Sequence, residues 1–270
     1  MAQELYFDTL PADTISNELA PVIAELGLEE NCRQLAMEGW TVVENAASPE
    51  FNDRLRATIL DLTKGRPGKQ MLLTKDPVFA EAVLNPNLMA LAEFSVGRGF
   101  LLSQVAASVR AQGSPVIGLH ADNNWLPAPF PEHNMLLTAC WACDEYSKEG
   151  GSTLVIPGSG NLRRHPNAEE IAALQGAIAI ECPAGSVAIW DGNLWHSNWP
   201  RSLEGERVVC HITYSRLAMR PVEDYRPHAP ELIDAYGEPM AQLLGEHDFL
   251  DSPSGADYSK LTQTFNNAKR

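Results

Sequence analysis

From Phe100 onward, the chain is a series of short apolar and β-branched segments separated by Gly, Pro and Asn. Segments of this length and composition, bounded by residues that favour turns, predict β-strands. We expect strands near 100–110, 116–121, 135–143, 153–156, 177–181, 186–190, 194–198 and 207–215. Many short strands at this spacing favour an antiparallel sandwich or barrel.

The regions on either side of these strands are predicted to be mainly helical. Residues 16–37 have the apolar spacing of helices, and Ser48-Pro49 supplies a cap and a first helical residue. Asp76 and Asn85-Pro86 begin two further short helices, and residues 230–244 are helical again. We therefore predict one domain over residues 1–270, with a helical part at about 1–98, a β core at about 99–216 and a C-terminal helical extension at about 217–270.

Composition narrows the expected partners and location. The chain has 270 residues with 35 acidic and 20 basic side chains, which gives a net charge of −15. Phosphates repel such a chain, so we expect neither a nucleic acid nor an anionic membrane as partner. There is no apolar run of membrane-spanning length and no visible secretory signal. The five cysteines fit reduced thiols, so we expect a cytoplasmic protein; a homo-oligomer is left open.

The first candidate for chemistry is the pair His120 and Asp122, at the end of the expected strand 116–121. Residues at positions i and i+2 of a strand point to the same face, so the imidazole and the carboxylate could bind one metal ion. Taken alone, the pair is more simply interpreted as a salt bridge at a strand edge.

His196 is the candidate for a third ligand, 76 residues after His120. Two histidines and one carboxylate leave three metal positions open, an arrangement typical of non-haem Fe(II) oxygenases. Zinc would prefer a closed tetrahedral site. The alternative is that His196 is a surface histidine in an aromatic loop.

Arg207 follows His196 by eleven residues and begins the last expected strand, on the same face as His211. An arginine among apolar neighbours needs an anionic partner, because an unpaired buried charge is costly. The carboxylate of a substrate or cosubstrate would be such a partner, held by the two prongs of the guanidinium. The alternative is an ion pair with Glu204 or Glu206.

These residues form part of a longer pattern. It consists of His120-x-Asp122, the segment 149–159 (EGGSTLVIPGS), Trp190 six residues before His196, and Arg207 eleven residues after His196. The pattern resembles the phytanoyl-CoA dioxygenase family of Fe(II)- and 2-oxoglutarate-dependent oxygenases, over about residues 85–216. The resemblance implies a mainly β fold with flanking helices and a double-stranded β-helix core, the jelly roll that is also found in cupins.

The resemblance also implies roles for individual residues. His120, Asp122 and His196 would hold Fe(II) and be catalytic, and Arg207 would bind the distal carboxylate of 2-oxoglutarate, with O2 as the second cosubstrate. The expected reaction oxidises a C–H bond of a small molecule, with hydroxylation as the usual outcome, and releases succinate and CO2. Related halogenases lack the carboxylate that Asp122 supplies here, so halogenation is not expected.

Three further residues are expected to contact the cosubstrate. Thr138 occupies a position where the family often has a hydroxyl or amide side chain, and Gln104 lies on the strand before the first ligand. Asn198 stands two residues after His196, where the family usually has Ser or Thr; an amide can still donate to a carboxylate. A second departure is Gly160, where a histidine usually follows the Pro-Gly-Ser turn.

The loop after Asp122 carries Trp125, Phe130 and three prolines. We expect Trp125 and Phe130 to line a substrate pocket, with His211 at its border, for an apolar or ring-bearing small molecule. The alternative for the loop is that it lies on the surface and covers one end of a sheet. The alternative for His211 is that it is a histidine of the core. For the whole chain, the rival functions are a cupin-like metal-dependent isomerase, a non-catalytic ligand-binding barrel and a degenerate family member with an interaction role.

Overall fold

The computed structural model of the protein describes residues 14–250, 255–261 and 264. Within these residues there are eight α-helices and nine β-strands. The helices are α1 (Ala20–Leu26), α2 (Glu29–Glu38), α3 (Pro49–Thr63), α4 (Pro77–Val83), α5 (Pro86–Val96), α6 (Ala168–Ala173), α7 (Ala229–Tyr236) and α8 (Glu238–Leu243). The strands are β1 (Trp40–Val43), β2 (Gly68–Lys69), β3 (Leu101–Ala111), β4 (Leu136–Ala142), β5 (Thr153–Val155), β6 (Ile178–Ala179), β7 (Val187–Asp191), β8 (His196–Asn198) and β9 (Glu206–Ser215).

The strands form two antiparallel sheets that face each other. The larger sheet has the order β1-β7-β4-β9-β3-β2, and the smaller sheet has the order β6-β5-β8. An apolar cluster between them includes Cys140 from β4, Val155 from β5 and Ala188 from β7. This is a jelly roll with flanking helices, so the predicted fold class is confirmed.

The predicted helix starts in the first hundred residues are confirmed. The side chains of Ser48, Asp76 and Asn85 accept hydrogen bonds from backbone N–H groups in the first turns of α3, α4 and α5, and a proline follows each cap. These are the local signals on which the prediction was based.

The helices cover the outer face of the larger sheet. The pleat of each strand determines which side chains point to the inner face. In β4, Leu137, Ala139 and Trp141 pack with the helices in the main core, whereas Thr138 and Cys140 point to the other side. Side chains alternate between the two faces of a strand. The alternation therefore places Thr138 of β4 on the inner face. The side chains of β3 and β9 alternate between the two faces in the same way.

The expected strand at 116–121 is wrong: only His120 pairs there, in an isolated bridge with His196. The N–H group of Ile117 donates to the side chain of Asn198, and the carbonyl of Gly118 accepts from the His120 ring. Side chains thus occupy the backbone groups that a strand would need. The predicted helix at 230–244 is interrupted at Gly237, which has a φ of 71°.

The stretch after β9 is fastened to the edge of β3 by a buried carboxylate. Glu223 accepts hydrogen bonds from the backbone N–H groups of Met71 and Val105 and from the hydroxyl of Tyr225. This contact places Val222 beside the inner face of the larger sheet.

All five cysteines are free and buried, in agreement with the expectation of reduced thiols. Among the described residues, no helix is both long enough and apolar enough to cross a membrane. The prediction of one domain over 1–270 includes residues 1–13, 251–254, 262–263 and 265–270, which lie outside the described residues.

Candidate metal centre and pocket

The structure brings His120, Asp122 and His196 together, as the sequence predicts. The Nε2 atoms of His120 and His196 lie 3.5 and 3.4 Å from Oδ1 of Asp122, and the three ligand atoms all lie within 4.8 Å of one another. Two backbone hydrogen bonds join the distant segments: the N–H group of His120 donates to the carbonyl of His196 at 3.0 Å, and the reverse bond measures 2.8 Å.

Both histidines are held in the tautomer that a metal ion requires. Nδ1 of His120 lies 2.8 Å from the carbonyl oxygen of Gly118, and Nδ1 of His196 lies 3.0 Å from that of Leu194. A carbonyl oxygen can only accept, so we assign the ring proton to Nδ1 in each case. The lone pair of each Nε2 then faces Asp122 and is free to bind a metal ion.

Asp122 is fixed by two donors behind it. Its Oδ2 accepts hydrogen bonds from the hydroxyl of Thr138 at 3.2 Å and from the indole N–H of Trp190 at 3.4 Å. Burial alone would raise the pKa of Asp122, but the neighbouring His196 and His120 hold it well below its usual value. The carboxylate is therefore charged at neutral pH and keeps Oδ1 directed at the two imidazoles.

This donor set fits Fe(II). Two neutral imidazoles and one carboxylate on one side of an ion leave positions open on the other side, which suits a divalent transition metal that also binds a cosubstrate. In the part of the chain that the structure describes, no other group of three His, Cys, Asp or Glu side chains has this geometry.

The metal ligands lie in the wall of a cavity of about 390 Å³ between the two sheets. Five further residues that the sequence predicts to contact cosubstrate or substrate also line it, namely Gln104, Trp125, Thr138, Asn198 and His211. Arg207 lines the same cavity. Strands from both sheets and the segment 117–125 thus contribute to one pocket.

Arg207 is the buried cation of this pocket, with 3% of its surface exposed. Its Nη1 donates to the carbonyl of Gly151, and its guanidinium lies 5.2 Å from the centre of the Tyr146 ring. Its Nε is buried without a hydrogen-bond partner. Among the described residues, no carboxylate pairs with Arg207, and the alternative ion pair with Glu204 or Glu206 is absent. An anion from outside the chain would satisfy both the charge and the orphaned donor.

Asn198 and His211 have constrained roles in the wall. The Asn198 amide accepts from the backbone N–H of Ile117 and donates to the carbonyl of Trp199, each at 2.9 Å, so it holds the segment around residue 117 beside the cavity. Burial lowers the pKa of His211 to about 4, and the charge of Arg207 acts in the same direction. The His211 imidazole is therefore neutral at neutral pH.

The two aromatic residues of the loop after Asp122 lie in different environments. Trp125 is 59% exposed and lies at the cavity, as predicted. Phe130 does not line the cavity: it is fully buried with Leu119 and Trp195, and its ring packs edge-on against His165 with 5.0 Å between ring centres. Phe130 thus supports the loop from beneath, and the expectation that it lines a substrate pocket is not met.

Among the pocket residues to which sequence reasoning gave no role are Trp190, Arg110 and Tyr146. Trp190 has a sequence signal, because it stands six residues before His196 in the family pattern. Arg110 also has one, since it lies six residues after Gln104 on the same face of β3. Tyr146, which lies beneath the Arg207 guanidinium, follows β4 in an irregular segment and has no local signal.

Comparison with known protein families shows which family has this chain as a member. The family model described as phytanoyl-CoA dioxygenase (PhyH) matches residues 35–202, which is more than half of the chain. The chain belongs to the phytanoyl-CoA dioxygenase family. The matched range contains His120, Asp122 and His196 and ends just before β9, which carries Arg207.

Sequence relatives in this family are distant. A protein named dioxygenase af480 from Aspergillus fumigatus is 28% identical over 172 residues, which cover 63% of this chain and 55% of that protein. The uncharacterized protein Rv1501 from Mycobacterium tuberculosis is 21% identical over 164 residues, which cover 58% of each chain. The chain thus spans little more than half the length of these curated relatives.

Several solved structures share the fold. Apo HygX from Streptomyces hygroscopicus superposes with a TM-score of 0.62 at 18% identity, over 72% of this chain and 88% of HygX. HygX with nickel and 2-oxoglutarate bound gives 0.60 at 17% identity, over 77% and 90% of the two chains. SnoN, a non-haem α-ketoglutarate-dependent epimerase from nogalamycin biosynthesis, gives 0.62 at 19% identity, over 73% and 87%.

Proposed function

We propose that the protein is an Fe(II)- and 2-oxoglutarate-dependent dioxygenase that oxidises a C–H bond of a small organic molecule, with hydroxylation as the expected outcome. One observation carries the proposal: His120, Asp122 and His196 converge in the wall of a cavity that also contains the buried, unpaired Arg207. Membership of the phytanoyl-CoA dioxygenase family supports the same conclusion.

The chain contributes binding, orientation and charge. His120 and His196 offer Nε2 and Asp122 offers Oδ1 to the ion, and the donors from Thr138 and Trp190 prevent the carboxylate from turning away. Fe(II) and 2-oxoglutarate, when bound, supply the oxidising chemistry with O2, and the products are succinate, CO2 and the oxidised substrate. Catalysis by the protein then depends on holding the target C–H bond near the open metal positions.

Arg207 is proposed to bind the distal carboxylate of 2-oxoglutarate, because it is the buried cation without an acidic partner. A bidentate pair would satisfy its orphaned Nε and neutralise its charge. Gln104, Thr138 and Asn198 line the same cavity and are proposed to contact the cosubstrate as well. In Thr138 and Asn198, this role would be added to the protein contacts that they already make.

Trp125 and His211 are proposed as substrate contacts, since both line the cavity beside the metal ligands. The neutral His211 ring can donate or accept one hydrogen bond without adding charge. We also propose that the chain forms a single domain, acts on a small-molecule substrate and is located in the cytoplasm.

A direct test measures succinate formed from 2-oxoglutarate by the Fe(II)-loaded protein in air, with or without a substrate candidate. We expect slow turnover in the wild type, none above background in His120→Ala or Asp122→Ala, and wild-type turnover in the control His228→Ala, which lies away from the cavity. Wild-type turnover in either ligand variant would contradict the assignment, and a metal-binding protein that never consumes 2-oxoglutarate would favour the ligand-binding barrel instead.

A further inference from the structure

The cavity contains a second arginine that the proposed chemistry does not use. Arg110 of β3 stands directly opposite Arg207 of β9 in the antiparallel register, and both side chains line the cavity. Like charges at directly opposed positions of a sheet repel each other. Burial and the positive charge of Arg207 lower the pKa of Arg110, which is the electrostatic sign of this repulsion.

Arg110 lacks an acidic partner within the protein. Its Nη1 donates to the backbone carbonyl of Pro115 at 2.6 Å, and among the described residues no carboxylate pairs with its guanidinium. The chain as a whole has 35 acidic side chains against 20 basic ones, so acidic residues are not scarce. Around the cavity, however, Asp122 is the single carboxylate among the described lining residues.

The charges of the loaded site cancel without Arg110. On the proposed function, the two positive charges of Fe(II) and the one of Arg207 are balanced by Asp122 and by the two carboxylates of 2-oxoglutarate. A histidine binds a metal ion as the neutral imidazole, so the two histidine ligands add no charge to this count. Arg110 therefore leaves one positive charge uncompensated in a half-buried position, where screening by water is incomplete.

Three exposed apolar side chains also line the cavity. They are Ile117, Trp125 and Val222, which are between 49% and 59% exposed. Two of them lie in the segment 117–125 and the third follows β9, and together they offer apolar surface to a molecule that binds beside Arg110. A molecule that matches this wall combines an apolar body with a charge of opposite sign to the guanidinium.

We propose that Arg110 binds an anionic group of the substrate, and that the substrate is an apolar small molecule with one singly charged oxyanion. This inference rests on the proposed function and specifies its substrate class. The oxyanion is a carboxylate or a monoanionic sulfonate or phosphodiester, all of which suit a planar two-pronged donor. Arg110 acts as a specificity-determining residue, and Arg207 keeps its separate task at the cosubstrate.

The test compares matched ligands on the Fe(II)- and 2-oxoglutarate-loaded protein without O2. The probes are a panel of arylalkanoic acids of increasing length, their primary amides, and arylalkyl sulfonates and methyl phosphodiesters with the same bodies. Binding is measured by ligand-observed NMR for the wild type, Arg110→Gln, Arg110→Lys and the control Arg66→Gln, which alters an exposed arginine outside the cavity. The affinity for 2-oxoglutarate is measured in parallel for the same four proteins and for Arg207→Gln.

We expect the wild type to prefer the best-bound anion over its amide by about tenfold or more, as a charged hydrogen-bonded pair contributes. Arg110→Gln should lose this preference, Arg110→Lys should keep part of it, and Arg66→Gln should keep all of it. The relative affinities of the carboxylates, sulfonates and phosphodiesters then identify the oxyanion. The affinity of Arg110→Gln for 2-oxoglutarate should stay within about twofold of the wild type.

Three results would overturn the inference: no preference for any anion across the panel, the same preference in Arg110→Gln, or a loss of 2-oxoglutarate affinity in Arg110→Gln like that in Arg207→Gln. The last result would make Arg110 a cosubstrate contact. Failure of the proposed function has a different signature, because 2-oxoglutarate would then bind neither the wild type nor any variant in the presence of Fe(II).

Discussion

The side-chain amide of Asn123 donates a hydrogen bond to the side-chain oxygen of Asn193, 70 residues further along the chain. Both side chains are buried. Asn123 follows the ligand Asp122, and Asn193 lies in the turn that precedes the ligand His196. The backbone supports the same junction, since the N–H of Asn123 donates to the carbonyl of Gly192. One buried amide pair thus couples the two segments that carry the metal ligands.

Replacing Asn193 by Ala should therefore lower stability and loosen the metal centre together. The variant leaves the buried amide of Asn123 without its partner, which costs about 1–3 kcal/mol. Urea unfolding of the metal-free protein measures the first effect and metal titration the second. Asn17→Ala, at an exposed position, is the control. Unchanged values of both quantities would show that the amide pair does not hold the two segments.

Arg207→Gln should weaken binding of 2-oxoglutarate by at least about tenfold, because it removes a charge-assisted pair in a buried position. The affinity for Fe(II) should change little, since Arg207 is not a ligand. Arg207→Lys should restore part of the loss, because an ammonium keeps the charge but not the two-pronged geometry. Anaerobic titration of the Fe(II)-loaded protein measures both affinities. Equal affinity for 2-oxoglutarate in Arg207→Gln and wild type would remove Arg207 from its proposed role.

Removal of the metal should lower stability by an amount that depends on metal concentration. A metal ion at 100 times its dissociation constant that binds only the folded state adds about 2.7 kcal/mol. We expect the thermal midpoint of the wild type to rise with Ni(II) and to fall again with EDTA. Asp122→Ala should show almost no response, whereas His228→Ala should respond like the wild type. An equal response in Asp122→Ala would indicate that the ion binds elsewhere.

His211 should make stability depend on pH on the acidic side of neutrality. Its pKa is about 4 in the folded protein against an ordinary value of 6.5, so between these values the unfolded chain binds more protons. The contribution of His211 to the free energy of unfolding is therefore fully present above pH 6.5 and is lost as the pH is lowered towards 4. Arg207 and Arg110 act with burial, and Asp122 opposes them.

The measurement compares urea unfolding of the wild type and His211→Gln at pH 7 and pH 5. The stability difference between the two proteins should change by about 2 kcal/mol between these pH values, with the wild type losing more on acidification. Parallel pH profiles would mean that His211 keeps its ordinary pKa.

Much of this architecture could be predicted from local signals. Ser48, Asp76 and Asn85 mark helix starts because a cap needs only a side chain and the next three residues. His120 and Asp122 could be paired because they are two positions apart, and the family pattern added His196. The strand expected at 116–121 failed because its backbone groups are taken by side chains, one of them from Asn198, 81 residues away from Ile117. No local window contains such a competitor.

The roles of individual pocket residues were harder to predict, because they depend on contacts across strands. Trp125 and Phe130 occur in one proline-rich loop, yet one faces the cavity and the other is buried beneath the loop. The spacing from Gln104 places Arg110 on the inner face of β3, but its position opposite Arg207 is known only from the register between β3 and β9. Burial of a loop residue and pairing between strands are tertiary properties, and the sequence alone gives no direct measure of either.

The carboxylate of Glu223 fastens the chain after β9 onto the sheet and sets Val222 at the cavity. One part of the cavity wall is therefore supplied by a stretch of chain that carries none of the metal ligands. Substitutions at Val222 should alter the shape of the cavity mouth while leaving the iron ligands intact. Conversely, a shortened chain that stops at β9 would lose one side of its own entrance.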